Sequence, residues 1–548
     1  MRQFHILLTI IFLTFSLSFH AQETPPKREV RAVWLTTIGG IDWPHSYAQS
    51  GRSAEKQQQE LCQILDKLQK AGVNTILLQT RIRGTMIYPS QYEPWDGCLS
   101  GFPGKSPGYD ALKFAIEECH KRGMELHAWV VTIPVGKWNA LGCKSLRRKF
   151  PKLIRKIDQD GYMNPEDPQT AKYLADICAE ITKNYDIDGI HLDYIRYPET
   201  WKIRVSNDQG RKYITHIVEA IHDKVKALKP WVKMSCSPIG KFDDLSRYWS
   251  HGWNAYTKVC QDAQGWLCSG LMDELFPMMY FKNNQFFPFA IDWAENSHGK
   301  IIAPGLGVYF LDRSQADWPL ETVTREMEIL RQFQLGHAYF RSKFFTDDTK
   351  GIYDFAYNDF DAFPALIPAM TWVHDVAPSA PTKMQVTNDY ISWEGAKDHS
   401  DAPYLLYNVY SSREYPVDIH DPRNLISPRL QQTRLNITTS GRYFAVTAMD
   451  RYGNESTALQ SASTPLLRKG QKRLSCNGER LILPAKPSTL DAEMVSIETL
   501  QGTIIASKRY EGKSVDVSSI PNGVYLLRSL NRKGISHRLG FFEVRREP

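Results

Sequence analysis

Between residues 28 and 340 the chain switches repeatedly between short apolar or alternating runs and longer amphipathic ones, and this alternation limits its fold more than any other feature. Strand-like runs at 30–35, 73–79, 124–131, 187–193, 232–237, 273–280, 301–309 and 336–340 are separated by helix-like stretches, clearest at 54–71, 110–122, 170–184, 214–228 and 321–333. In the first stretch Leu61, Leu65 and Leu68 share one face, and Gly72 ends it. Parallel strands need a crossover, usually a helix, to bring the chain back. Eight strand–helix units therefore predict an α/β fold of the (β/α)8 TIM-barrel type with enlarged loops. An open doubly wound sheet is the competing arrangement, but no Gly-rich phosphate loop follows the first strand.

The barrel is expected over 28–375, and the remainder of the 548 residues differs in character. Pro378 and Pro381 mark a linker, and beyond it only short β-type runs occur, at 383–386, 390–393, 404–411, 434–437 and 443–450. These place one small all-β domain at 376–470 and a second at 471–548. Residues 1–21 have the layout of a secretory signal, with Arg2, an apolar run from Ile6 to Phe19, and Ala21 before Gln22. That run is short for a membrane span and no later segment is long enough, so an exported protein without a transmembrane span in its mature form is expected. It would lie in the periplasm, on the outer-membrane surface or outside the cell.

Nine cysteines leave at least one unpaired, and their spacing suggests no zinc site; Cys260 with Cys268 is a candidate local disulfide. The net charge of +7 comes from residues 468–548, which hold 15 Lys or Arg against 8 Asp or Glu. No basic surface interleaved with a reading element is visible, so nucleic acid is not an expected partner. The 14 Trp and 26 Tyr suit flat, partly apolar partners such as sugar rings. Oligomeric state is not legible.

Chemistry in a barrel sits at the carboxy-terminal ends of the strands. In the run Asp188-Gly189-Ile190-His191-Leu192-Asp193-Tyr194, strand alternation puts His191 and Asp193 on one face and Ile190 and Leu192 on the other. Helices cover the outside, so the polar pair faces the interior. On the third strand Glu125, His127 and Trp129 face inward by the same parity. A metal site is one reading of the two His and the Asp, but no His-x-His first strand accompanies them; neither metal nor cofactor is expected. A hydrogen-bonded interior is the other reading of His127 and His191. Arg81 lies where the second strand becomes a loop, poised to pair a carboxylate or contact hydroxyls, and Glu93 with Trp95 follows on that loop. Asp42 and Trp43 follow the first strand at the same end of the barrel. Arg196, Tyr280 and Tyr309, near the ends of the fourth, sixth and seventh strand runs, complete the substrate-binding candidates.

These motifs carry a resemblance. Trp34-Leu35-Thr36, Asp42-Trp43-Pro44, Arg81, Glu93-Pro94-Trp95, Pro107-Gly108-Tyr109-Asp110, the run from His120 to Trp129, Asp188 to Asp193 and Asp273 to Tyr280 resemble, in order, the glycosyl-hydrolase-like family 10 domain. The resemblance implies a TIM barrel, distantly similar to retaining glycosidases that use a fourth-strand Asp. It also implies a bacterial envelope location, and as substrate a polysaccharide, with peptidoglycan glycan strands stripped of their peptides among those that members cleave. Tyr194 stands where the family often has a second acid, and Met278-Met279 where a Gln is common. Trp393, Tyr407-Asn408-Val409-Tyr410 and the run from Tyr443 to Asp450 resemble a fibronectin type III module, which implies a spacer or docking role. The run from Ser519 to Leu527 and Gly540-Phe541-Phe542-Glu543-Val544 resemble the sorting domains of secreted Bacteroidetes proteins.

Glycosidic cleavage takes two carboxyl groups, one a proton donor and the other a nucleophile or base. Asp193 is the expected nucleophile or charge stabiliser, Glu93 the first candidate for the donor, and Asp42 the next. Cell-wall glycan is the first expected substrate and dietary or host glycans the alternative. A non-catalytic carbohydrate-binding barrel and a metal-dependent amidase or deacetylase are the rivals from other classes.

Overall fold

The structure, a computed structural model, describes residues 25–248, 252–437, 442–463, 473–484, 494–500, 503–510, 513–530 and 536–546. The signal expected at 1–21 lies outside the described residues. Eight parallel strands form the amino-terminal unit: β1 Arg31–Leu35, β2 Thr75–Arg81, β3 Glu125–Val131, β4 Gly189–Asp193, β5 Lys233–Cys236, β6 Glu274–Leu275, β7 in two pieces (Ile301–Ile302 and Gly305–Leu306) and β8 His337–Tyr339. Pro304, which has no N–H for a ladder, lies in the break in β7. Each strand pairs in parallel with the next. β8 returns to β1 with Arg31 opposite His337, so the sheet closes into a barrel.

The crossovers are α1 Gly51–Lys70, α2 Ala111–Lys121, α3 Pro168–Asn184, α4 Asn207–Leu228, α5 Ala263–Cys268, α6 Phe287–Glu295 and α7 Leu320–Gln332, and α8 Ser342–Thr346 follows β8. Their starts are written locally: the side chains of Ser50, Asp110, Asp167 and Ser206 each accept from a first-turn N–H of α1 to α4. Strand parity then sorts the core into two. Leu126, Ala128, Val130, Ile190 and Leu192 pack outward with Leu61, Leu65 and Ile116 of the helices. Ala32, Trp34, Leu77, Trp129, Val131 and Phe276 fill the barrel interior.

One feature was not legible as an element, and one expected bond does not form. Between β3 and α3 the chain makes a three-stranded antiparallel excursion, in the order Pro134–Lys137, Asp160–Met163, Ile154–Ile157, with helix Leu141–Lys149 inside it. The cysteines, including Cys260 and Cys268, are all free, so the local disulfide does not form: Cys260 is buried and Cys268 exposed. No helix among the described residues is long and apolar enough to cross a membrane.

Past the barrel lies a sandwich of a three-stranded sheet (Thr382–Val386, Tyr390–Glu394, Arg434–Asn436) and a four-stranded one (Leu425–Leu430, Leu406–Ser412, Tyr443–Met449, Leu459–Gln460). It does not hang free as a spacer. Tyr452 belongs to the main barrel–helix core, Leu366 packs with Tyr410, Val417 and Leu425, and Met370 N–H donates to the Tyr452 carbonyl at 2.8 Å. The last unit has a four-stranded sheet, in the order Ile504–Arg509, Met494–Thr499, Gly523–Leu530, Ser536–Val544, with its own core around Leu481, Val495, Leu527 and Phe542.

Candidate active site

Asp193 ends β4, and the next residue, Tyr194, has φ 54°, a left-handed backbone that turns the chain off the strand end. That turn aims the Tyr194 N–H at Asp193 Oδ1 (2.8 Å), which also accepts from Ser237 Oγ (2.9 Å); Trp129 Nε1 donates to Oδ2 (3.2 Å). Thr132 holds the Asp193 carbonyl through its N–H (2.9 Å) and its hydroxyl (2.8 Å). Asp193 is buried to 8% exposure, and burial pushes its carboxyl above the ordinary value despite these donors.

Aromatic rings surround the acid. Tyr280 keeps its proton well above the ordinary tyrosine range, through burial first and then the charge of Asp193. Its ring lies 5.7 Å from Tyr309 and 5.2 Å from Phe340, which in turn lies 5.7 Å from Trp34. The Arg196 guanidinium sits 4.5 Å from the Tyr194 ring centroid and donates to Glu199 at 2.5 Å. The mouth thus combines an acid of raised proton affinity with apolar ring faces, the setting a glycosidase carboxyl needs.

Beneath this level His191 is fully buried. Trp34 Nε1 donates to its Nε2 (3.3 Å), so Nδ1 carries the proton toward Ser235 Oγ (3.1 Å). Burial, and then His127, drive its pKa well below the ordinary value, so it stays neutral. His127 lies a level lower, 3.3 Å from Glu125 Oε2 and 3.4 Å from Ser235 Oγ. Its ring explains Gly189, where a Cβ would come within 2.6 Å of it. Lys233 Nζ donates to both oxygens of Glu125, at 2.8 and 2.9 Å. Burial raises the Glu125 pKa, but Lys233 and Arg429 outweigh it and hold it at about 2. Glu274, in the same layer, has neither oxygen hydrogen-bonded, and burial raises it to about 7.

Asp193, Trp129, Arg196, Tyr280 and Tyr309 come together at the mouth, with His191 below, whereas four other candidates have different surroundings. Glu93, expected as a proton donor on an open loop, is buried against Arg81, whose Nε and Nη2 donate to it at 2.9 and 2.7 Å. Tyr173 of α3 donates to the same carboxylate at 3.3 Å. Arg81, expected to meet substrate, is fully buried and spends its remaining donors on the Val131 and Thr132 carbonyls. Asp42 ties β1 to the loop after β8, accepting from Thr36 N (2.9 Å), Thr36 Oγ1 (2.5 Å), Lys343 N (3.1 Å) and Arg341. Trp43, expected at a sugar subsite, is fully buried and donates to the Gln57 carbonyl at 2.9 Å. A loop charge or ring in a large barrel is as readily consumed by packing as presented to solvent. Trp95 is half-buried against the barrel–helix core. Ser237 and Phe340 were not anticipated, although Ser237 shares the inward parity of Ser235 and Phe340 ends the eighth run.

A family model described as glycosyl hydrolase-like 10 matches residues 29–213 and 204–309. The glycosyl hydrolase YngK of Bacillus subtilis (strain 168) is 30% identical over 504 residues, covering 82% of this chain and 97% of that protein. The glycosyl hydrolase DigH of Escherichia coli (strain K12) is 29% identical over 290 residues, 46% of this chain and 66% of the relative. Among solved structures, the catalytic domain of beta-amylase from Paenibacillus polymyxa aligns with a TM-score of 0.43 at 10% identity, over 62% of this chain and 99% of that one.

Proposed function

The chain belongs to the glycosyl hydrolase-like 10 family and is a glycoside hydrolase, and on that footing we propose that it is exported and cleaves a bacterial cell-wall glycan through Asp193. The observation that carries the site is the Asp193 carboxylate: among the described residues it is the one acid that ends a barrel strand at its carboxy-terminal side, held by three donors and walled by Trp129, Tyr194 and Tyr280. In this reading Asp193 faces the anomeric carbon, as nucleophile or as counter-charge to the oxocarbenium-like transition state. Trp129, Tyr280 and Tyr309 offer faces and edges for sugar rings. Arg196, 2% exposed, stacked on Tyr194 and paired with Glu199, is a buried positive charge beside the acid and not a free substrate contact. The carboxylates of Glu93 and Asp42 are each paired with an arginine, so neither stands free as a proton donor in this geometry.

The apolar run after Arg2 supports export, and the family resemblance supports peptide-free peptidoglycan strands as the first substrate to try. The three-plus-four sandwich supports reading 376–470 as a fibronectin type III-like module. The test is release of reducing ends from peptide-free glycan strands and from a panel of dietary and host polysaccharides. Asp193→Asn is expected to lower the rate at least about a thousandfold with the fold intact. Full activity in that variant sinks the site, binding without release by the wild type identifies a lectin-like barrel, and release from the panel alone moves the substrate to dietary or host glycans.

A further inference from the structure

The barrel floor is closed by a side chain from the sandwich. Arg429, on the strand Leu425–Leu430, reaches between β3 and β4, and donates from Nη1 to Glu125 Oε1 (2.9 Å) and from Nη2 to Asp188 Oδ1 (2.8 Å). Arg451, after the strand Tyr443–Met449, donates to Asp188 Oδ1 (3.2 Å) and Asp186 Oδ1 (2.8 Å), and Tyr404 donates to Asp186 as well. The central side chains are buried, with Arg429 7% exposed, Arg451 4%, Asp188 3% and Glu125 2%, while Asp186 and Tyr404 at the rim are partly exposed. The approach is built into the backbone on both sides. Arg429 has φ 56°, a conformation that residues other than glycine adopt at a cost, and its N–H is held by Asn408 Oδ1 at 3.0 Å. Facing it, Gly123 has φ 70°, and a Cβ there would lie 2.5 Å from the Pro428 carbonyl oxygen.

What these cations neutralise matters for the site. Asp188 immediately precedes β4, and its Oδ2 accepts from Leu126 N of β3 (2.9 Å) and from His120 Nε2 of α2 (2.8 Å). It therefore pins β3 to β4 at the floor, in the register that sets Trp129 opposite His191 and Val131 opposite Asp193. At the top of the same two strands Trp129 Nε1 meets the Asp193 carboxylate and Thr132 holds its carbonyl. A five-residue strand fixed at both ends transmits a floor displacement to its top, because the flanking ladders leave it no slack. Burial works against the charge on Asp188, and His120, Arg429 and Arg451 together keep it ionised.

We propose that Arg429, with Arg451 beside it, is a positioning residue for the glycosidase reaction: the sandwich is the base plate that sets where β4 presents Asp193 and β3 presents Trp129. This rests on Asp193 being the reacting carboxylate, so the two ideas fail separately. An active Asp193→Asn variant removes the reaction assignment, whereas Arg429 variants address only the positioning.

The experiment uses the full chain with Arg429→Met and Arg429→Lys, assayed on a glycan that the wild type cleaves. Melting curves establish the folded fraction, and hydrogen–deuterium exchange is followed on peptides spanning 189–197 and, as reference, the β1 region. For folded Arg429→Met the expected result is a fall in kcat of about tenfold with KM changed less than about threefold, since the substrate contacts themselves remain. The acid limb of kcat/KM is expected to shift, and exchange to quicken over 189–197 and not over β1. Arg429→Lys, which keeps the cation, is expected to recover most of the rate. A folded Met variant with kcat, pH limb and 189–197 exchange all at wild-type levels overturns the proposal. If the Met variant does not fold, Arg429→Gln, which keeps hydrogen-bonding capacity and removes the cation, decides. Lowered kcat together with faster 189–197 exchange supports positioning, and wild-type values for both reduce Arg429 to a stabilising contact and overturn it.

Discussion

Replacing Glu274 with Gln should remove a pH-dependent weakness of the barrel. Both Glu274 oxygens are buried without a hydrogen-bond partner, in an interior layer with His127 3.9 Å from Oε2. Burial, only partly offset by His127 and Lys233, raises its pKa from the ordinary 4.5 to about 7. Between those values the native protein holds a proton that the unfolded chain releases, so stability falls as pH rises through the window and the loss is complete above it. Each pKa unit is worth about 1.4 kcal/mol, so the wild type gives up about 3 kcal/mol between about pH 4.5 and about pH 8. Gln keeps the shape and cannot ionise. Urea unfolding of wild type and variant across that range is the assay, with free energies taken from midpoint and slope. The variant should be more stable by up to about 3 kcal/mol at the alkaline end and equal within about 1 kcal/mol at the acid end. A variant–wild-type difference that does not change with pH refutes the reasoning, because it means that Glu274 is ionised, or neutral, alike in both states.

Three further outcomes follow from the geometry of the site. Ser237→Ala takes one donor from the Asp193 carboxylate, disfavours its charged form, and should move the acid limb of kcat/KM up by about one pH unit; an unmoved limb means that this limb does not report Asp193. Trp129→Phe, which loses the indole donor and keeps a ring, should move that limb in the same direction, and a downward shift contradicts the hydrogen-bond assignment. Glu93→Gln leaves the buried Arg81 cation without its counter-charge, so it should cost about 3–5 kcal/mol of stability while the folded fraction keeps kcat within about threefold. If that variant is fully stable and inactive, Glu93 is the proton donor after all.

The barrel was legible because its signals are local. A period of two inside a strand and 3.6 inside a helix needs no distant partner, and the residues at 125–131 and 187–193 already state which side chains face inward. The three-stranded excursion at Pro134–Met163 was not legible, since its short strands alternate weakly and Pro134 and Gly161 interrupt them. The mouth was half legible. Asp193 and Trp129 follow from parity and from being near strand ends, as Ser237 does in retrospect. The loop acids did not follow, because a carboxylate near an arginine in sequence has no rule stating whether the pair closes on itself or stays open. Arg81 and Glu93, 12 residues apart, close.

The sequence by itself determined the order of the barrel strands and of their main crossover helices, the inward face of β3 and β4, and the place of Asp193 at the carboxy-terminal end of β4. Only the tertiary structure decided which charges are free. Burying a charge is costly enough to require a partner, but the partner is whatever the fold brings near. Here Asp42 meets Arg341 across 299 residues, and Asp188 meets Arg429 across 241. The first pairing occupies an acid expected to do chemistry, and the second joins a module expected as a spacer or docking unit to the floor of the barrel.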